Sequence, residues 1–223
     1  MKFRHEWKHE INYADMITLR TRLSAVMHKD LHSIDGSYRS RTLYFDNIYD
    51  KALREKIDGV NEREKFRIRF YNGDLSFITL EKKSKINGLC NKIGCNINAE
   101  ETNRILKGDI EWMKYDDRAL LIEFYSKIKT QGLKPKTIVA YTREAFVYKP
   151  GNVRVTLDHN IRTGDFRTDF LNPETITLPA GDPIIILEVK WDEFLPDIIR
   201  DAVSIPSRRV SAFSKYQQCR IYG

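Results

Sequence analysis

An α+β fold built on an antiparallel sheet is the fold class the sequence predicts, and three observations carry it. Stretches rich in β-formers recur along the 223 residues with apolar and charged side chains in alternation, the period of a half-buried strand. Two Asn-Gly pairs, Asn72-Gly73 and Asn87-Gly88, separate such stretches and mark tight hairpins. In several of these stretches the face opposite the apolar one carries fixed charge rather than mixed polar residues.

In chain order, residues 3 to 11 read as a strand with Phe3, Trp7 and Ile11 on one face and Arg4, Glu6, Lys8 and Glu10 on the other. Asn12 caps a helix from about Tyr13 to Met27, whose Met16, Leu19, Leu23 and Val26 recur at helical spacing. Tyr38 to Asp46 is a strand, and Asp46 or Asn47 caps a short helix ending at Gly59.

Glu64 to Tyr71 alternates most clearly. Phe66, Ile68 and Phe70 oppose Lys65, Arg67, Arg69 and Tyr71. Leu75 to Lys85 sets Ile78 and Leu80 against Thr79, Glu81 and Lys83, and Leu89 to Ile97 carries Lys92, completing a three-stranded meander.

Asn98 and Glu101 form a capping box for a helix closed by Gly108, and Arg118 to Thr130 is a second helix with an apolar stripe. Leu133 to Pro135 reads as a connector to a strand from Thr137 to Tyr148 containing Arg143, and Val153 to Asp158 alternates again. Residues 159 to 182 read as a surface loop from which Arg162 and Arg167 are candidates to reach a ligand. Pro183 to Trp191 is the last strand, and a short helix spans Pro196 to Val203. The whole chain, 1–223, is expected to be one domain, since 41% hydrophobic residues suffice for a sizeable core.

The formal charge of +7 favours an anionic partner. The absence of an apolar run near membrane length leads us to expect a cytoplasmic protein with no membrane segment. Cys90, Cys95 and Cys219, with no CxxC, argue against both a disulfide framework and a zinc ribbon. Nucleic acid is not expected as a partner, because the aromatics lie on the apolar faces rather than among the basic residues.

The charged faces collect Glu6 and Lys8, Arg67 and Arg69, Glu81 and Lys83, Arg154 and Asp158, Glu188 and Lys190, and Arg143. On an open sheet these groups form ion pairs in solvent. In a closed barrel they turn inward, where a basic excess requires interior carboxylates or an anionic ligand.

Glu6-Trp7-Lys8, Lys65-Phe66-Arg67-Ile68-Arg69-Phe70-Tyr71, Leu80-Glu81-Lys82-Lys83, Tyr141-Thr142-Arg143, Val153 to Asp158, Leu187-Glu188-Val189-Lys190 and Phe213-Ser214-Lys215-Tyr216 together resemble the VTC domain. This is the polyphosphate polymerase domain of the vacuolar transporter chaperone family, in the triphosphate tunnel metalloenzyme (CYTH-like) superfamily.

The resemblance implies a closed antiparallel β-barrel, a tunnel of about eight strands with a charged interior and helices packed outside. It implies a phosphotransferase that uses Mn²⁺ or Mg²⁺ to move the terminal phosphoryl group of ATP to a polyphosphate chain. Carried over by motif, Lys8, Arg67, Arg69, Lys83, Lys92, Arg143, Arg154, Lys190, Ser214 and Lys215 are phosphate ligands. Among these Arg67, Arg69, Lys83 and Lys190, together with Glu188, are the catalytic set. Glu188 is the main metal ligand, with Glu6 and Glu81 as further candidates.

Ala212 departs from the pattern where some members have a basic residue, a change that weakens polymer handling at one tunnel mouth unless Arg208 or Arg209 substitutes. A triphosphatase or polyphosphate hydrolase of the same superfamily, and a non-catalytic polyphosphate-binding module, are the alternatives.

Overall fold

The computed structural model describes residues 4–31, 33, 35–166, 169–206, 208 and 210–222, so Phe3, Arg167 and Arg209 lie outside the described residues. The elements run β1 (His5–Ile11), α1 (Tyr13–Val26), β2 (His28–Lys29), β3 (Tyr38–Asp46), α2 (Lys51–Ile57), β4 (Arg63–Tyr71), β5 (Asp74–Ile86) and β6 (Leu89–Ile97). They continue with α3 (Ala99–Leu106), a 3-10 turn (Glu111–Tyr115), α4 (Ala119–Gln131), β7 (Lys134–Tyr148), β8 (Val153–Asp165), β9 (Leu178–Pro179), β10 (Ile185–Trp191), α5 (Asp197–Val203) and α6 (Lys215–Tyr222).

Local chemistry accounts for the boundaries. Asn72, Gly73, Asn87 and Gly88 all adopt positive φ, as the two hairpin turns require. Asn12 with Asp15 and Asn98 with Glu101 each form a reciprocal capping box that starts α1 and α3. The Asp46 carboxylate accepts from the backbone N–H groups of Ala52 and Leu53 at 2.9 and 3.1 Å, so it satisfies the first turn of α2 although it lies outside the helix.

Eight strands form one antiparallel sheet in the order β1-β10-β8-β7-β3-β4-β5-β6, with β2 and β9 off this path. The sheet curls so that the apolar side of each strand faces outward onto helices. Phe66, Ile68, Phe70, Ile78 and Leu80 pack with Leu120, Leu121 and Phe124 of α4, and Phe66 stacks on Phe124 at 5.0 Å. Val153, Val155, Leu157, Leu187 and Val189 pack with Leu19 and Leu23 of α1 and Ile199 of α5. Each such buried side chain stabilises the fold by about 1.5–3 kcal/mol, and together they fix the phase that turns the charged side chains to the concave face.

Four expectations are corrected. The sheet is an open, curled half-barrel rather than a closed barrel: among the described residues no strand ladder joins β1 to β6, and their backbones are linked by the single bridge between Arg4, just before β1, and Cys90. The reason lies on the free edge of β1, where the backbone N–H of Ser211 donates to Lys8 O at 2.7 Å and Val210 bridges to His9, so a non-strand segment takes the place of a neighbour.

Helices do not pack only outside. Helix α6 lies on the concave side, because Tyr44, Val139, Tyr141 and Ile186 are apolar inward positions that Tyr216 and Cys219 cover. The supposed loop from 159 begins as strand, since β8 continues to Asp165 through an irregularity in its pairing with β7. Likewise β7 starts at Lys134 inside the supposed connector, pairing with Asp46 and Phe45 of β3.

Candidate active site

The concave face encloses a cavity of about 550 Å³. All ten residues expected as phosphate ligands line it, as do Glu6 and Glu188. Among the described residues, eleven lysines and arginines but only two carboxylates are on its wall. The strand phase produces this convergence: Lys65, Arg67 and Arg69 come from β4, Lys83 from β5, Lys92 from β6, Arg143 from β7, Arg154 from β8, and Glu188 and Lys190 from β10. Glu6 and Lys8 come from β1, and Ser214 and Lys215 from the start of α6.

Buried carboxylates hold the cations in place. Glu81 sits behind the cavity wall, 2% exposed, with Oε2 at 2.7 Å from Arg67 Nε and Oε1 at 2.8 Å from Lys92 Nζ. Arg67 also donates to Tyr44 Oη at 2.9 Å, and Arg69 Nε donates to Thr42 Oγ1 at 2.9 Å. Asp158, wholly buried, receives both arms of Arg143 at 2.6 and 2.7 Å and Lys215 at 2.5 Å. Arg154 is fixed by Asp30 at 2.5 Å and by Tyr38 Oη at 2.9 Å. Such bidentate and multiply bonded guanidinium groups are oriented before any ligand arrives.

Glu6 and Glu188 form a second arrangement. Lys8 lies 3.0 Å from Glu6 and 3.4 Å from Glu188, while Lys190 lies 3.4 Å from Glu6 and 2.8 Å from Glu188, so two lysines bridge two carboxylates. Lys83 reaches Glu6 at 3.2 Å, and Arg143 reaches Glu188 at 3.5 Å. Burial alone would raise both carboxyl groups. The surrounding cations outweigh it, Lys83 foremost at Glu6 and Lys190 at Glu188, and hold both well below the usual carboxylate range. Both therefore stay ionised at neutral pH and aim charged oxygens at one cavity.

The donor set fits a hard divalent cation. Mn²⁺ and Mg²⁺ prefer oxygen ligands, and Mg²⁺ sites typically combine one or two carboxylates with phosphate oxygens and water. Glu6 and Glu188 supply the two carboxylates. Among the described residues no three His, Cys, Asp or Glu side chains gather into a cation cage, so the remaining donors would come from a phosphate ligand and water. Glu81 fits this role less well, because it does not line the cavity.

The expected ligand set omits Lys65, although it shares the inward phase of Arg67 and Arg69. It lines the cavity near the rings of Tyr44 and Tyr216, at 5.4 and 5.6 Å from their centroids. Burial, then Lys83, Arg67 and Lys8, press its amine well below the usual lysine range. The tyrosines Tyr38, Tyr44, Tyr71 and Tyr141 also line the cavity; in sequence a phenol on the charged face of a strand looks like an ordinary β-former. Arg162 is elsewhere, bonded to Thr177 on a separate groove. Arg208 does not substitute at Ala212, since it is tied to Asp15 at 2.7 Å.

The family model of the VTC domain matches residues 3–222. The chain belongs to the VTC domain family. The family is one of tunnel-fold enzymes that act on phosphate compounds, and its members generally depend on a divalent metal.

No curated protein matches this VTC domain. Among solved structures it is similar to a candidate adenylate cyclase from Bacillus halodurans, with a TM-score of 0.52 at 14% identity over 85% of this chain and 80% of the other. It is also similar to PH1819 from Pyrococcus horikoshii, with a TM-score of 0.43 at 16% identity over 90% of this chain and 84% of that one. At 14% identity the first likeness is one of fold. Among the described residues of the VTC domain no helix is long and apolar enough to cross a membrane.

Proposed function

We propose that this VTC domain is a metal-dependent polyphosphate polymerase that transfers the terminal phosphoryl group of ATP to a polyphosphate chain within the basic cavity. The observation that carries the reading is the pre-oriented wall: cations outnumber carboxylates around one concave space, and buried acids lock the arginines. Phosphoryl transfer asks little covalent work of a protein. It needs the donor held in line and the developing charge neutralised, which fixed guanidinium and ammonium groups do in a low-dielectric site.

In this reading Arg67, Arg69, Arg143 and Arg154 hold nonbridging phosphate oxygens. Lys8, Lys83, Lys92, Lys190 and Lys215 neutralise the chain, and Ser214 donates its hydroxyl. Glu188 and Glu6 would hold Mn²⁺ or Mg²⁺, which when bound supplies positive charge at the phosphate oxygens. Glu81 acts through Arg67 and Lys92 as a positioning residue.

The bond from the terminal phosphorus to the bridging oxygen of ATP breaks, and the oxygen leaves on ADP with the electron pair. A new bond forms to the terminal oxygen of the acceptor chain. That oxygen is already ionised, so no general base is required.

The open side of the sheet favours one competing outcome, admission of water as acceptor and hydrolysis of the triphosphate. Incubation with ATP and Mn²⁺ followed by gel separation of the products tests the choice. Long phosphate chains are the expected product; orthophosphate without chains would assign the hydrolase reading.

A further inference from the structure

The main cavity opens into a second one of about 350 Å³, with which it shares Glu6, Lys8, Lys65, Lys83, Cys90 and Ser214. Beyond the shared wall this mouth adds Lys56 of α2, Arg63 of β4 and Lys85 of β5, with residues 210–213 along the free edge of β1.

The two spaces differ in how their charge is compensated. In the main cavity every basic side chain except Lys65 has a carboxylate within 4 Å. At the mouth, Lys56, Lys65 and Lys85 have no ion-pair partner among the described residues, and Arg63 donates only to the carbonyl of Val60. The one further acid on the mouth wall, Glu64, is taken by Lys127 and Lys82. The uncompensated charge of the concave face is therefore concentrated at this end. The groups feel one another: burial first, then Arg63, Lys8 and Lys85, lower the affinity of the Lys56 amine for its proton.

We propose that this mouth is a second anion subsite that takes the phosphates of the acceptor chain, with Lys65 at the threshold between acceptor and donor. The inference rests on the polymerase reading and adds to it the end from which the acceptor enters. An extended polyphosphate carries charge on every unit, so it can engage a row of lysines lacking acidic partners with no metal. Apart from Glu6, which it shares with the main cavity, the mouth has among the described residues no carboxylate left to hold a cation, which separates its chemistry from that of the Glu188 end.

The test is equilibrium binding of tripolyphosphate, ATP and a polyphosphate of several dozen units to the wild-type protein and to the Lys56→Ala/Lys85→Ala variant. Lys56→Gln/Lys85→Gln is measured alongside, so that a folding defect of the alanine variant does not decide the result. Both variants are expected to bind the long chain about tenfold or more weakly, and tripolyphosphate and ATP within about twofold of wild type. Unchanged binding of the long chain would overturn the subsite. So would equal weakening of all three ligands, which is a general field effect, or weakening of ATP alone, which would assign the mouth to the nucleoside. Failure of the wild-type protein to bind tripolyphosphate would instead overturn the polymerase reading beneath it.

Discussion

Arg67 and Glu81 stand directly opposite each other on β4 and β5, and the guanidinium Nε lies 2.7 Å from the carboxylate. Both side chains are almost fully buried, at 8% and 2% exposure, so removing Glu81 leaves the Arg67 charge without its carboxylate. Breaking a buried pair of this kind costs about 3–5 kcal/mol. Glu81→Ala is expected to lower the unfolding free energy by about that amount in a urea titration. An unchanged urea midpoint would contradict a structural role for the pair.

Arg69 offers a cleaner probe of ligand binding. Its Nε is bonded to Thr42, and Glu81 keeps Arg67 and Lys92 when Arg69 is lost. Arg69→Ala should therefore leave no acid stranded while removing charge-assisted contacts to phosphate, worth about 1.5–3 kcal/mol. Calorimetric titration with tripolyphosphate should show affinity reduced by roughly tenfold to a hundredfold.

Glu188→Gln separates metal from phosphate. The amide keeps the shape of the side chain but not the charge that Lys190, Lys8 and Arg143 surround. Metal-free tripolyphosphate binding is expected to persist, whereas the Mn²⁺ concentration needed for half-maximal turnover should rise at least tenfold. An unchanged Mn²⁺ titration would remove Glu188 from the metal site.

Lys65 sets a dependence on pH. Its amine is pressed below the usual lysine range by burial and by Lys83, Arg67 and Lys8. The unfolded chain thus binds more protons than the folded one between the folded value and about 10.4, and stability rises with pH through that window. Lys65→Met should be more stable than wild type at neutral pH, and the difference in thermal midpoint should shrink as pH approaches about 10. A gap that widens with pH would reverse the assignment.

The acids titrate in the opposite sense. Glu6, Glu81, Asp158 and Glu188 are held below the carboxylate range despite burial, because cations surround them. Their contribution is complete above about pH 5 and is lost as pH falls below about 4 toward the folded values. Acid unfolding followed by circular dichroism should begin in that interval.

Much of the site was legible because a strand has a period of two. In Glu64 to Tyr71, Phe66, Ile68 and Phe70 could only face a core, which turned Arg67 and Arg69 the other way. Asn72-Gly73 and Asn87-Gly88 then fixed which strands lie beside it. Cross-strand partners were less accessible. That Glu81 faces Arg67 and Lys92 follows from the register of two hairpins, and alternation gives the face of a residue without naming its neighbour.

The opening of the sheet was hidden for a similar reason. It depends on residues 210 and 211 occupying the edge of β1, a contact about 200 positions apart in a segment with no strand pattern. Lys65 showed its direction but not its isolation, since an unpaired lysine is defined by which acids fail to reach it.

The most direct test is a crystal structure with tripolyphosphate and Mn²⁺ bound. The expected result is a phosphate chain inside the 550 Å³ cavity, contacting Arg67, Arg69 and Lys190, with the metal on Glu188. Phosphates bound only on the convex face, with that cavity left to solvent, would contradict it.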